Sequence, residues 1–166
     1  MRFSRILVPT DFSASADEAA AVAGALAATA GGTVTLLYVY NPPSLMLPDG
    51  STFVVTPSEL VQESERAEAD VARAKQALAG TLDPKVHVAA ATAMGVPAQE
   101  IQRMAASGDF DIVVMGTHGR TGLRRVLLGS VAEQVLRHAS IPVLTVREHA
   151  VAAGRAAEAT SGSQAP

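Results

Sequence analysis

The chain has no cysteine and no tryptophan. Without thiols there is no disulfide framework, no thiolate metal site and no thiol nucleophile. That usage suits a reducing compartment, and a cytoplasmic location is the expectation. Aromatic residues make up only 4% of the sequence, so a core has to be aliphatic, built from Val, Leu, Ile and Ala. No apolar run reaches membrane-spanning length, and Met1 to Arg5 leads into a strand pattern instead of a leader's apolar stretch. Strong charge of either sign is missing too. A net charge of −3 gives no reason to expect nucleic acid or an anionic membrane as partner. What is present is 48% apolar residues in 166, enough for one domain with a real core.

Along the chain, strand and helix patterns alternate. Arg5 to Pro9 is a continuous apolar run, the mark of a strand buried on both faces. Ser15-x-x-Glu18 reads as a capping box opening an alanine-rich helix that Gly31-Gly32 closes. Thr33 to Tyr40 is the second strand and the most β-like segment of the sequence. Residues 41–56 hold three prolines and a glycine and read as a long loop or lid. Thr56-Pro57-Ser58-Glu59 supplies an N-cap, a first-turn proline and an acidic third position for a long helix to about Ala79. Its charges form a solvated face. Lys85 to Thr92 is a third strand, Gly95-Val96-Pro97 turns into a helix to Ser107, and the fourth strand starts at Ile112. A helix from about Val131 to His138 and a fifth strand from Pro142 to Val146 complete the pattern. Five strands and four helices in alternation predict a doubly wound α/β domain over residues 1–147. Residues 148–166, rich in Ala, Gly and Ser without periodicity, are expected to be a disordered tail.

The most informative stretch runs from Asp111 to Arg147. Gly116 and Gly119 follow the fourth strand, then nine residues, then Gly129-Ser130 at a helix start. Glycines there are expected to allow positive φ and close approach of backbone to a ligand. The helix start directs unpaired N–H groups and a positive dipole end at the same loop, which favours an anion. Neither Gly-x-x-x-x-Gly-Lys-Ser/Thr nor Gly-x-Gly-x-x-Gly occurs, so the common nucleotide fingerprints do not apply.

The spacing Gly-x-x-Gly, nine residues, Gly-Ser resembles that of the universal stress protein family, in its ATP-binding branch. The likeness extends to the flanking strands, to Arg5 through Asp11 and to Gly95-Val96-Pro97-Ala98, and so covers roughly residues 1–147. It implies a single Rossmann-like, adenine nucleotide alpha hydrolase-like domain. Its five-stranded parallel sheet would have the order 3-2-1-4-5, with the four helices on both faces. Strands one and four would then be neighbours whose crossovers leave in opposite directions, and the crevice at their carboxyl ends is where such sheets bind ligands.

On that resemblance the site is composite. Pro9, Thr10 and Val39 would wall the adenine, Val39 offering backbone hydrogen bonds to the base edge and Met115 and Val131 serving as apolar neighbours, although a strand-end Val is also ordinary core. Asp11 contacts base or ribose, or caps the first helix. Gly116 and Gly119 offer room and N–H groups to ribose and phosphates, and Gly129 and Ser130 meet the phosphates. Ser130-x-x-Glu133 is equally a capping box, a role compatible with phosphate contact. Arg120 is favoured over Arg124 and Arg125 as the phosphate cation because it follows Gly119, and His118 lies in the same loop. His87, His138 and His149 show no metal-ligand spacing, and no protein metal site is expected. The ligand implied is ATP, accompanied by Mg²⁺ or Mn²⁺ if by any metal.

Hydrolysis needs an activated water and transition-state charge stabilisation. No motif supplies a Walker lysine or a general base, so binding is better supported than catalysis. The expectation is a nucleotide-dependent regulator or interaction module in stress response. A slow ATPase and a nucleotide-free scaffold are the alternatives. The resemblance also implies a homodimer paired through the last strand, at Val143, Leu144 and Val146, and a protein partner of unknown identity.

Overall fold

The computed structural model describes residues 3–41, 45–46, 52–53, 56–117 and 128–147. The expected tail and the loop residues His118, Gly119, Arg120, Arg124 and Arg125 lie outside them. In chain order the elements are β1 (Arg5–Thr10), α1 (Ala14–Ala28), β2 (Thr33–Tyr40), β3 (Leu45–Met46) and β4 (Thr52–Phe53). Then come α2 (Pro57–Ala79), β5 (His87–Met94), α3 (Pro97–Ala105), β6 (Ile112–Gly116), α4 (Ser130–His138) and β7 (Val143–Val146). The main sheet is five-stranded and wholly parallel in the order β5-β2-β1-β6-β7. In terms of the five predicted strands this is 3-2-1-4-5. Residues 41–56, read as a loop, contain the antiparallel pair β3–β4, joined at Leu45–Phe53 and Met46–Thr52.

The period-2 alternation of side chains divides the core between the two faces of the sheet. Ile6, Val8, Val34, Leu36, Ile112 and Val114 face α1 and α2, where Ala19, Ala20, Ala23 and Val71 cover them. Leu7, Leu37, Val113 and Met115 face α3 and α4, under Ile101, Ala105, Ala132 and Val135. Each fully buried Leu, Ile or Val contributes roughly 1.5–3 kcal/mol relative to exposure. The buried stripe of α1 is alanine, which lets this helix approach the sheet closely without large side chains.

Capping differs from the expectation at two helices. The N-cap of α1 is Ser13, not Ser15: its side chain accepts the Ala16 N–H, and Ser15 is a buried first-turn residue. Asp11 explains the choice, because its Oδ1 accepts the Ser13 N–H at 3.1 Å and the Ser13 hydroxyl at 2.6 Å and fixes that serine before the helix begins. At α4 the N-cap is Gly129, so Ser130 is the first helical residue, and no side chain among the described residues caps this helix. The α2 box is as read: Thr56 accepts from the Glu59 N–H, and the Glu59 carboxylate accepts the Thr56 N–H at 2.8 Å.

The amino end of the sheet is closed by one polar knot. Asp111, just before β6, accepts the backbone N–H groups of Ser4 (3.0 Å) and Arg5 (2.9 Å) and the Arg5 guanidinium (2.7 Å). Arg5 also donates to the Gly108 carbonyl at 2.9 Å. Those bonds, led by the one from the guanidinium, hold the Asp111 carboxyl down at about 2.

Candidate functional site

At the opposite end of the same strands lies a cavity of about 370 Å³. It opens where β1 and β6 separate and is bounded by the ends of those strands and of β2, with α3 and the start of α4. The topology produces it: α1 leaves β1 on one face of the sheet, whereas α4 follows β6 on the other.

Nine of the residues singled out from the sequence line this cavity. Pro9, Thr10 and Asp11 come from the end of β1 and the turn after it, and Val39 from β2. Met115 and Gly116 end β6, and Gly129, Ser130 and Val131 start α4. The rest of the predicted set, His118, Gly119 and Arg120, falls outside the described residues.

Gly116 has a different reason from the one expected. It does not have positive φ; among the described residues the glycines that do are Gly31, Gly95 and Gly108. A Cβ on Gly116 would stand 2.4 Å from the Ser15 hydroxyl and 2.8 Å from the Ser15 carbonyl oxygen. Glycine here lets the end of β6 slide beneath the first turn of α1.

Reading the sequence missed six lining residues: Ala16, Leu37, Pro97, Ile101, Thr117 and Ala132. Leu37 was within reach, since it shares a strand face with Val39 two residues on. Pro97 and Ile101 also shared a helical face, but only the tertiary packing of α3 beside α4 turns that face to the crevice. Thr117 is buried and ties the rim together. Its N–H donates to the Val146 carbonyl at 2.9 Å, and its carbonyl accepts the Gly129 N–H at 2.8 Å. The two ends of the glycine-rich segment are thereby joined beside the cavity.

The lining is divided in character. Leu37, Val39, Pro97, Ile101, Met115 and Ala132 give an apolar wall, while Thr10, Asp11, Thr117 and Ser130 supply polar groups. The N-terminus of α4, with no side-chain cap among the described residues, presents its first N–H groups and positive dipole end at the polar side. Nearby Asp17 has its carboxyl pushed above the ordinary range by burial and then by the charge of Asp11. Among the described residues no three His, Cys, Asp or Glu side chains gather to hold a metal. No helix among them is long and apolar enough to cross a membrane.

Fold and crevice together define a doubly wound α/β protein with a ligand-sized opening at its switch point. The profile of the universal stress protein family matches residues 2–147, and the chain belongs to that family. It is similar to a universal stress protein of Methanocaldococcus jannaschii, 38% identical over 147 residues, covering 88% of this chain and 83% of that one. A second from the same organism is 30% identical, with 87% of this chain and 95% of the relative covered. Among solved structures, the universal stress protein UspA from Lactobacillus plantarum superposes with a TM-score of 0.66 at 28% identity, over 89% of this chain and 99% of that one. A universal stress protein solved in complex with cAMP shares the fold at 21% identity, TM-score 0.65, over 89% of this chain and 99% of that one. An Arabidopsis thaliana family member with AMP bound does so at 18% identity and a TM-score of 0.58, over 89% of this chain and 93% of that one.

Proposed function

We propose that this protein binds an adenine nucleotide, ATP in the first instance, and acts as a nucleotide-dependent regulator or interaction module. The observation that carries the reading is the two-sided cavity: about 370 Å³ with an apolar wall on one side and the start of α4 on the other. An apolar wall takes a base, and free backbone N–H groups with a helix dipole take phosphate. Family members with cAMP and AMP bound are consistent with that ligand class. Pro9, Thr10, Val39, Met115 and Val131 would bound the base, and Asp11 would meet base or ribose. Gly116, Gly129 and Ser130 would receive the ribose and phosphates, with His118, Gly119 and Arg120 completing the cradle. Asp11 and Asp17 add negative charge near the polyphosphate, so a divalent cation, Mg²⁺ or Mn²⁺, or the loop arginines must offset it.

A single experiment separates binder, enzyme and scaffold. The protein is isolated under native conditions, extracted with acid and its small molecules are resolved by chromatography and mass. Co-purified ATP supports the binder, and conversion of added ATP to ADP supports a slow ATPase. Neither nucleotide nor turnover would leave the scaffold reading.

We further propose a homodimer paired along β7. This strand bonds to β6 on one side only, and its Leu144 is exposed, as is Leu136 of α4. Covering an open apolar edge removes an aggregation hazard. Sedimentation should give twice the chain mass, and Leu144→Lys should give a monomer; a monomeric wild type would refute the pairing.

A further inference from the structure

We propose that the carboxyl end of the α1/α2 face, on the side of the sheet opposite the cavity, docks a basic amphipathic segment of a partner protein. Its charge is already uneven in the sequence. Between Arg5 and Arg66 the chain has no Lys, Arg or His, and it has seven Asp and Glu. On the other face, α3 and α4 each pair an acid with an arginine, Glu100 with Arg103 and Glu133 with Arg137, both at 2.7 Å. α1 carries Asp17 and Glu18 and no cation.

The floor is apolar. Leu37 and Val39 of β2 line the cavity, so the alternation turns Tyr38 and Tyr40 to the α1/α2 face. Phe12 extends that row: its ring lies 4.6 Å from Tyr38, which lies 6.5 Å from Tyr40. Met94 pairs in register with Tyr40 and stands beside it on the same face, 56% exposed. α2 starts at this end, because it returns the chain from the end of β2 to the start of β5, and its Val61 is 55% exposed. Among the described residues these two are the most exposed large apolar side chains.

The walls are acidic. α1 and α2 run parallel and meet at the amino end, where Leu82, just past α2, packs on Gly24. Gly24 therefore marks the flank of α1 that faces α2, and Asp17, two turns earlier, shares it. On α2, counted from the sheet-facing Ala67 and Val71, the flank towards α1 holds Glu59 and Glu63. Arg66 approaches Glu63 only at 3.8 Å, a solvent-exposed pair that screening keeps weak. Asp17, raised by burial and by Asp11, gains from any cation that arrives. Acidic walls repel nucleic acid and anionic lipid. Lysines or arginines around an apolar anchor match both walls and floor.

The test titrates the whole chain, without nucleotide, with a Leu/Lys amphipathic peptide, a Ser/Lys peptide of equal charge and a Leu/Glu peptide. Calorimetry should show Leu/Lys bound, Ser/Lys at least about tenfold weaker and Leu/Glu not bound. Amide shifts should centre on Asp17, Tyr40, Glu63 and Met94. The pair Asp17→Asn with Glu63→Gln should weaken Leu/Lys about tenfold. The same charge change on the other face, Glu100→Gln with Glu133→Gln, should leave it unaltered, thermal unfolding confirming both folds. No Leu/Lys binding, shifts centred elsewhere, or equal losses in the two double variants overturn the proposal. So does a dimer that Met94→Lys dissociates and Leu144→Lys does not, which makes a second copy the occupant. Binding gained only when residues 45–53 are replaced by a Gly-Ser linker overturns it too, since that segment is then the occupant.

Discussion

Strands β1 and β6 lie side by side, and their two ends are built on opposite rules. At the amino end the polar groups partner one another: Asp111 gathers Ser4 and Arg5, and Arg5 reaches back to Gly108. At the carboxyl end the β1–β2 ladder stops at Thr10–Tyr38, α4 starts with no side-chain cap among the described residues, and Phe12 takes a positive φ of 62. The carboxylates register the same contrast. Asp111 titrates at about 2, pulled down by its donors, while Asp17 is pushed up by burial and by Asp11. Satisfied polar groups stabilise a fold; unsatisfied ones, placed together, are what a ligand completes.

The largest test of this contrast is Gly116→Ala. A methyl group 2.4 Å from the Ser15 hydroxyl must push β6 and α1 apart, and a loss of about 3 kcal/mol is expected in urea unfolding. An unchanged midpoint would show that the carboxyl end is not packed as described. Next is Asp111→Ala, which strips two backbone N–H groups of their acceptor. We expect a loss of about 1–2 kcal/mol, kept modest because the exposed pairing with Arg5 is screened. Nucleotide affinity should not change, and a parallel fall in affinity would contradict the separation of the two ends.

The pH dependence follows from the same residue. The Asp111 carboxyl titrates at about 2 in the folded chain against an ordinary 3.8, so its contribution is complete above pH 4. That contribution is lost as pH falls through that interval. Wild type should therefore lose more stability than Asp111→Ala between about pH 4 and pH 2, and equal slopes would rule this out. The smallest effects come from two serines. Ser13→Ala should cost about 1 kcal/mol through the lost cap. Ser15→Ala should be neutral or slightly stabilising, since the Ser15 hydroxyl is buried with no partner. Were Ser15→Ala the more damaging change, the placement of the α1 start would be in error.

The elements were legible because each carries a local signature. Ile6, Leu7 and Val8 in succession mark a strand buried on both faces, and Thr56 with Glu59 marks a helix start. The sheet order came from the family likeness. Nine residues singled out from the sequence line one cavity, because strand ends and the Gly129-Ser130 turn are fixed points of that topology. What escaped had no local signature. Ser13 and Ser15 both sit where a cap would serve, and the bond from Ser13 to Asp11 decides between them. Gly116 looks like any glycine after a strand until the Ser15 oxygen is placed against it. Pro97 and Ile101 enter the cavity through the packing of α3 on α4, where Gln102 donates to the Gln134 carbonyl at 3.0 Å.

The most direct test is an amide chemical-shift titration of the whole chain with ATP and Mg²⁺. Saturable shifts at Val39, Gly116, Thr117 and Gly129 through Ala132, with Ser4, Arg5 and Asp111 unmoved, are the expected result. No saturable shifts, or shifts centred on the Asp111 knot, would contradict a nucleotide site at the carboxyl end of the sheet.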